Sequence, residues 1–112
     1  MAPEFEPTAL DRTQLGHLVY KRIPFLFLTL VDFAEREINK ETRQMLVHAE
    51  LVSEEELLVQ ARARLPKAEM PIVLLCETGS ASEQQARLLI QAGFINSFYV
   101  HGGLDGLQSE NP

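Results

Sequence analysis

Cys76 is the only cysteine among the 112 residues. The run it opens, Cys76-Glu77-Thr78-Gly79-Ser80-Ala81-Ser82, lies between a segment of strand character and one of helix character. A thiol at such a junction is displayed as a nucleophile, because the loop's backbone N–H groups and those of the helix start can converge on an anion at the sulfur. A nest of that kind favours thiolate or persulfide over neutral thiol. Cys76 is therefore the candidate catalytic residue, and Glu77, Thr78, Gly79, Ser80, Ala81 and Ser82 are the candidate substrate-binding loop. Thr78 and Ser80 are read as hydrogen-bond donors, since no Ser-His-Asp arrangement and no G-x-S-x-G elbow accompanies them.

The elements that must hold this loop follow from periodicity. Pro71-Ile72-Val73-Leu74-Leu75 is a short continuous apolar run rich in β-formers, as expected of a strand buried on both faces that ends at Cys76. After it, Ala86, Leu88, Leu89 and Ala92 recur at helical spacing, with Ser82 and Gln85 as a capping box and Gly93 as the stop. Asp11 with Gln14 caps an earlier helix bearing Leu15, Leu18 and Val19 on one face, and Ser53 with Glu56 caps another bearing Leu57, Leu58, Ala61 and Leu65, stopped by Pro66. Phe25 to Val31 reads as a second buried strand closed by Asp32, whose carboxylate anchors the next turn. Arg36, Lys40 and Arg43, interleaved with Glu37 and Glu41, read as one solvated helical face. Strands alternating with capped helices predict an α/β fold, a mainly parallel central sheet flanked by helices on both faces. In such sheets ligands bind at the C-terminal ends of strands, where Cys76 lies.

From Pro71 to Leu107 the chain resembles the C-terminal half of a single-domain rhodanese-like (sulfurtransferase) module. In that family a strand ends in the catalytic cysteine, followed by a loop of the form C-x-x-G-x-R-S, a helix ending in A-G-F, a short strand and a G-G turn. Here Cys76, Gly79 and Ser82 are followed by Ala92-Gly93-Phe94, then Asn96-Ser97-Phe98-Tyr99-Val100, then Gly102-Gly103-Leu104-Asp105-Gly106. The resemblance implies transfer of sulfane sulfur through a Cys76 persulfide. The donor would be a small sulfur compound such as thiosulfate, mercaptopyruvate or a polysulfide, and the acceptor cyanide, a small thiol or a partner protein's cysteine. No cofactor is implied.

Two departures bear on that expectation. The family's loop arginine is replaced by Ala81, and the arginine that braces the family's fold two places after the strand-ending aspartate is replaced by Ala34. Glu77 adds a negative charge beside the sulfur, which opposes an anionic sulfur. Weak thiosulfate activity is expected, and the alternative is a catalytically inactive rhodanese-like interaction or regulatory module. A phosphatase of the C-x5-R type would need arginine at the place of Ser82, and neither Ala81 nor Ser82 makes the bidentate phosphate contact.

Composition sets the remaining bounds. One chain of this length with 46% hydrophobic residues forms a single domain, expected over 8–107 between a flexible N-terminus (1–7) and a flexible tail (108–112). A net charge of −6 argues against nucleic acid and anionic membrane surfaces as partners. The apolar run Phe25 to Val31 is far short of the roughly 20 residues of a membrane span. Met1 to Pro7 carries Glu4 and Glu6 and no basic segment, so the expected location is the cytoplasm. A lone cysteine agrees with a reducing compartment and requires any sulfur on it to leave intermolecularly. His17, His48 and His101 are scattered and show no metal-ligand spacing. His101, before Gly102-Gly103, is the one that can line the same end of the sheet.

Overall fold

Strand formation starts from the two apolar runs. In the computed structural model, which describes residues 6–34, 36–64 and 70–109, Leu26–Thr29 (β2) and Ile72–Leu75 (β4) are adjacent parallel strands, and all eight of their residues are buried. Ser97–Val100 (β5) pairs with the other side of β4, Thr8–Leu10 (β1) adds outside β5, and Glu50–Leu51 (β3) adds outside β2. The order is β1-β5-β4-β2-β3, every pair parallel. Parallel neighbours require crossover helices, supplied by Arg12–Tyr20 (α1), Lys40–Met45 (α2), Glu54–Arg64 (α3) and Ser80–Gln91 (α4), and Gly103–Ser109 (α5) follows the last strand.

Side-chain alternation along the strands divides the core in two. Phe27, Val73, Leu75 and Val100 face Leu15, Met45, Leu46, Leu104 and Leu107 on one side. Leu26, Leu28, Ile72 and Leu74 face Leu57, Ala61, Ala86 and Leu89 on the other. Each fully buried Leu or Ile contributes about 1.5–3 kcal/mol relative to an exposed one, so both faces of the sheet are needed for stability. The predicted α/β architecture with helices on both faces is the one observed. α5 takes in Gln108 and Ser109, two residues that the sequence assigns to a tail.

Local chemistry sets the element ends. Asp11 Oδ1 accepts from the Gln14 N–H at 2.8 Å while Gln14 Oε1 accepts from the Asp11 N–H at 2.9 Å, completing the expected capping box. Ser53 Oγ accepts from the Glu56 N–H at 3.2 Å as expected; the Pro66 stop lies outside the described residues. Strand β2 ends earlier than predicted because the Thr29 hydroxyl donates to the Val31 carbonyl (2.8 Å) and accepts from its N–H (3.1 Å), folding the backbone off the ladder. The Ala34 N–H then donates to Asp32 Oδ1 at 3.1 Å, the expected anchor of the following turn.

Two features differ from simple expectation. Helix α2 begins at Lys40 with Asn39 as its cap, so Arg36 precedes the helix and does not share a face with Lys40 and Arg43. Helix α1 closes with paired bonds from the Arg22 N–H to the Val19 carbonyl (3.2 Å) and from the Ile23 N–H to the Leu18 carbonyl (3.1 Å). That closure places Arg22 at φ 56°, where glycine is the usual residue and a Cβ costs roughly 1–2 kcal/mol. Among the described residues no helix is long and apolar enough to cross a membrane.

Candidate active site

The chain leaves β4 at Leu75, in the middle of the sheet, and Cys76 occupies the strand's C-terminal exit. Glu77 and Thr78 turn outward and are exposed, and Gly79 at φ 99° brings the chain back into α4. The sequence places the helix start at Ser82; the structure starts it at Ser80, with Gly79 as the N-cap and no side-chain cap. The sulfur explains the difference. Cys76 Sγ accepts from the Gly79 N–H at 3.0 Å and from the Ser82 N–H at 3.3 Å, so the thiol itself satisfies N–H groups that a capping side chain would otherwise meet. Ser82 is thus not a cap but a residue of the first turn. It is fully buried, with its hydroxyl donating to the Gly79 carbonyl at 3.2 Å and lying 3.2 Å from Sγ. A single hydroxyl proton serves the carbonyl while the sulfur is protonated, and can turn to the sulfur when it is not.

The outward half of the loop's backbone is held by α5. Leu104 N–H donates to the Cys76 carbonyl at 2.8 Å and Asp105 N–H to the Glu77 carbonyl at 3.0 Å. With those carbonyls drawn toward α5, the N–H groups of Gly79 and Ser82 are left to point at the sulfur. The approach is close enough to demand glycine. Gly103 sits at φ 64°, and a Cβ there would run into the Cys76 carbonyl oxygen and lie 2.6 Å from the Glu77 carbonyl carbon. A Cβ on Gly79 would lie 3.1 Å from the Gly102 nitrogen. The G-G turn and the cysteine loop are therefore one packed unit.

At the mouth, Arg36 Nη1 lies 2.7 Å from Glu77 Oε1 and Nη2 lies 4.0 Å from Asp105 Oδ1. The Arg36 carbonyl accepts from Arg43 Nη2 at 2.9 Å, which steadies this segment. Arg36 is the residue that sequence reasoning misplaces: its spacing from Lys40 and Arg43 suggests a helical face, and no local pattern shows that the segment before α2 reaches the loop after β4. The charge of Glu77 is consequently matched by a guanidinium. One guanidinium against two carboxylates still leaves the mouth net negative.

Of the predicted site residues, Cys76, Gly79 and Ser82 come together in the buried interior, with Cys76 itself 5% exposed. Glu77, Thr78 and Ser80 form the exposed rim, where the hydroxyls of Thr78 and Ser80 lie 3.3 Å apart, and Ala81 is half-buried. His101 is exposed and engages through its backbone, donating to the Leu10 carbonyl at 2.8 Å. His17 is likewise exposed, on α1. Among the described residues no group of three His, Cys, Asp or Glu is placed to hold a metal ion.

A five-stranded parallel sheet with a cysteine at the exit of its central strand, followed by a glycine-bearing loop and a helix, fits the rhodanese-like arrangement expected from the sequence, and the comparisons agree. A family model described as rhodanese-like domain matches residues 33–110, and the chain belongs to that family. The solution structure of a rhodanese-like domain from an Anabaena sp. protein is similar with a TM-score of 0.69 at 22% identity, covering 93% of this chain and 74% of that one. The human single-domain sulfurtransferase is similar with a TM-score of 0.64 at 17% identity, covering 93% of this chain and 97% of that one. An NAD-dependent persulfide reductase from A. fulgidus matches over 88% of this chain and 15% of its own length, at 19% identity and a TM-score of 0.56. At these identities the likeness is one of fold. A search of curated proteins gives no significant match.

Proposed function

We propose that this chain is a rhodanese-type sulfurtransferase or persulfide carrier that passes sulfane sulfur through Cys76 to an external thiol or cyanide. The observation that carries the proposal is the convergence of the Gly79 N–H, the Ser82 N–H and the Ser82 hydroxyl on Cys76 Sγ. Two N–H groups aimed at one sulfur, with a hydroxyl 3.2 Å away that can turn from the Gly79 carbonyl to donate to it, stabilise negative charge there, whether on a thiolate or on the persulfide that replaces it. In the loading step the Cys76 thiolate attacks the transferable sulfur of the donor, and the new S–S bond forms as the donor's own bond to that sulfur breaks, an S–S bond in thiosulfate or a polysulfide and a C–S bond in mercaptopyruvate. The displaced electron pair leaves with sulfite, with the shortened sulfide chain or with the pyruvate enolate, which then takes up a proton. In the unloading step cyanide or an acceptor thiolate attacks the outer sulfur, and the bond's electron pair returns to Cys76. No net oxidant or reductant is consumed with cyanide, and thiocyanate carries the sulfur away.

Charge at the mouth selects among donors. Thiosulfate brings two negative charges to a rim where Arg36 is already shared between Glu77 and Asp105. Mercaptopyruvate, with one carboxylate, or an uncharged organic polysulfide brings less charge and meets a smaller barrier. Intact mass spectrometry after separate incubation with the three donors tests this. One added sulfur, removed by cyanide, is expected with polysulfide or mercaptopyruvate, and slower loading with thiosulfate. Loading by none of them, while alkylation still reaches Cys76, would replace the enzymatic reading with that of an interaction module. Fast thiosulfate-to-cyanide turnover would contradict the donor preference.

The same electrostatics predict a gain of function. Ala81→Arg restores a cation on the first turn of α4, and thiosulfate loading is expected to rise about tenfold or more, with polysulfide loading changed far less. Equal effects on both donors would show that charge at the mouth is not what separates them. Glu77→Gln releases Arg36 from a partly exposed pair worth at most about 1 kcal/mol, and a rise of about threefold in thiosulfate loading is expected. Stopped-flow measurement of the loading rate at low salt reads both variants.

A further inference from the structure

At the opposite end of the sheet from Cys76, a cavity of about 430 Å³ opens between the end of α1, the start of β2 and the segment that follows α2. Its body is apolar, built from Leu18, Ile23, Phe25, Phe27 and Met45, and it lies on the face of the sheet covered by α1 and α2. The two lining residues that carry or can acquire charge are Arg22 and His48, and no carboxylate lines it among the described residues. In a chain of net charge −6 that is a local reversal of sign.

Arg22 is the second observation. It stands at the turn position after α1 where φ is 56° and where glycine would be less strained, and it is an exposed residue of the cavity's lining. Among the described residues Arg22 has no ion-pair partner. Strain retained at a residue that adds no internal bond of its own side chain points to a ligand contact.

We propose that this cavity binds a small amphipathic carboxylate, an aliphatic or aromatic acid whose apolar body fills the space among Phe25, Phe27 and Met45 and whose carboxylate meets Arg22, with His48 as a second donor. The volume falls within the range of small-molecule sites, and guanidinium is the side chain best shaped for a carboxylate. The site is separate from the sulfur chemistry and does not depend on it: its residues come from α1, the α1–β2 connection, β2, the end of α2 and the turn after it, none of them from the cysteine loop.

The test uses the full chain labelled with ¹⁵N and titrated with octanoate, with octanol as the neutral control. Saturable amide shifts are expected at Leu18, Phe25 and Met45 and not at Gly79 or Ser82, with octanoate binding about tenfold more tightly than octanol. Arg22→Gly is the decisive variant, because glycine suits the turn: its melting temperature is expected to rise while octanoate affinity falls about tenfold to the level of octanol. Absence of saturable shifts at millimolar octanoate would overturn the proposal. So would unchanged affinity in a well-folded Arg22→Gly, or shifts centred on the cysteine loop.

Discussion

Gly103→Ala is expected to cost about 3–5 kcal/mol, a large share of the 5–15 kcal/mol that holds a domain of this size. Two effects add. The residue sits at φ 64°, where any Cβ is strained, and the methyl group would overlap the backbone of Cys76 and Glu77 and not a side chain that can move aside. Relief requires α5 to retreat, which breaks the bonds from Leu104 and Asp105 to the loop carbonyls and lets the N–H groups of Gly79 and Ser82 lose their aim at the sulfur. Gly93 supplies the control. It has φ 106°, but a Cβ there would meet nothing within 4 Å, so Gly93→Ala pays only the backbone strain of roughly 1–2 kcal/mol. Thermal denaturation of both variants measures the difference, about 1–4 kcal/mol, which by the usual conversion of about 4–8 °C per kcal/mol should be at least about 4 °C. Equal melting temperatures would mean that the G-G turn is not packed against the loop as described.

Cys76→Ser is expected to abolish sulfur loading altogether while leaving the fold intact. Because the chain has a single cysteine, no second thiol can accept sulfur, and any added mass on the wild type must reside at Cys76. Serine is slightly smaller and its oxygen can still accept from the Gly79 and Ser82 N–H groups, so α4 keeps its cap and the melting temperature should shift by only a few degrees, about 1 kcal/mol. A hydroxyl in the same nest is a far poorer nucleophile toward sulfane sulfur, and no loading should be detectable with any donor. Intact mass together with circular dichroism separates the outcomes. Residual loading on the folded serine variant would place the chemistry elsewhere, and loss of the fold would show that the sulfur's hydrogen bonds are chiefly structural.

Much of this was legible in residue order. Pro71 to Leu75 reads as a doubly buried strand because only a central parallel strand needs apolar side chains on both faces, and Asp11 with Gln14 reads as a cap because the bonds close within one helical turn. Cys76 at the strand exit followed by Gly79 follows from the same local logic. The start of α4 was misread for an equally local reason. Ser82 and Gln85 form a plausible box, and nothing in four residues reveals that a sulfur six positions back already serves the helix N–H groups. Arg36 was misread because its partners, Glu77 and Asp105, lie on other elements.

The sequence by itself determined the alternation of strands and helices, the two-sided burial of β2 and β4 and the exit point of the only thiol, because each depends on periodicity or on contacts within a few residues. Only the tertiary structure decided which carbonyls α5 would hold, that Gly103 must lack a side chain because the Cys76 backbone lies against it, that Arg36 would compensate Glu77, and that Arg22 would line a cavity at the far end of the sheet. Those outcomes depend on the approach of segments far apart in the chain, such as Leu104 reaching the Cys76 carbonyl and Arg36 reaching Glu77, and the parallel order β1-β5-β4-β2-β3 that sets those approaches is fixed by packing of the whole sheet and not by any one stretch of it.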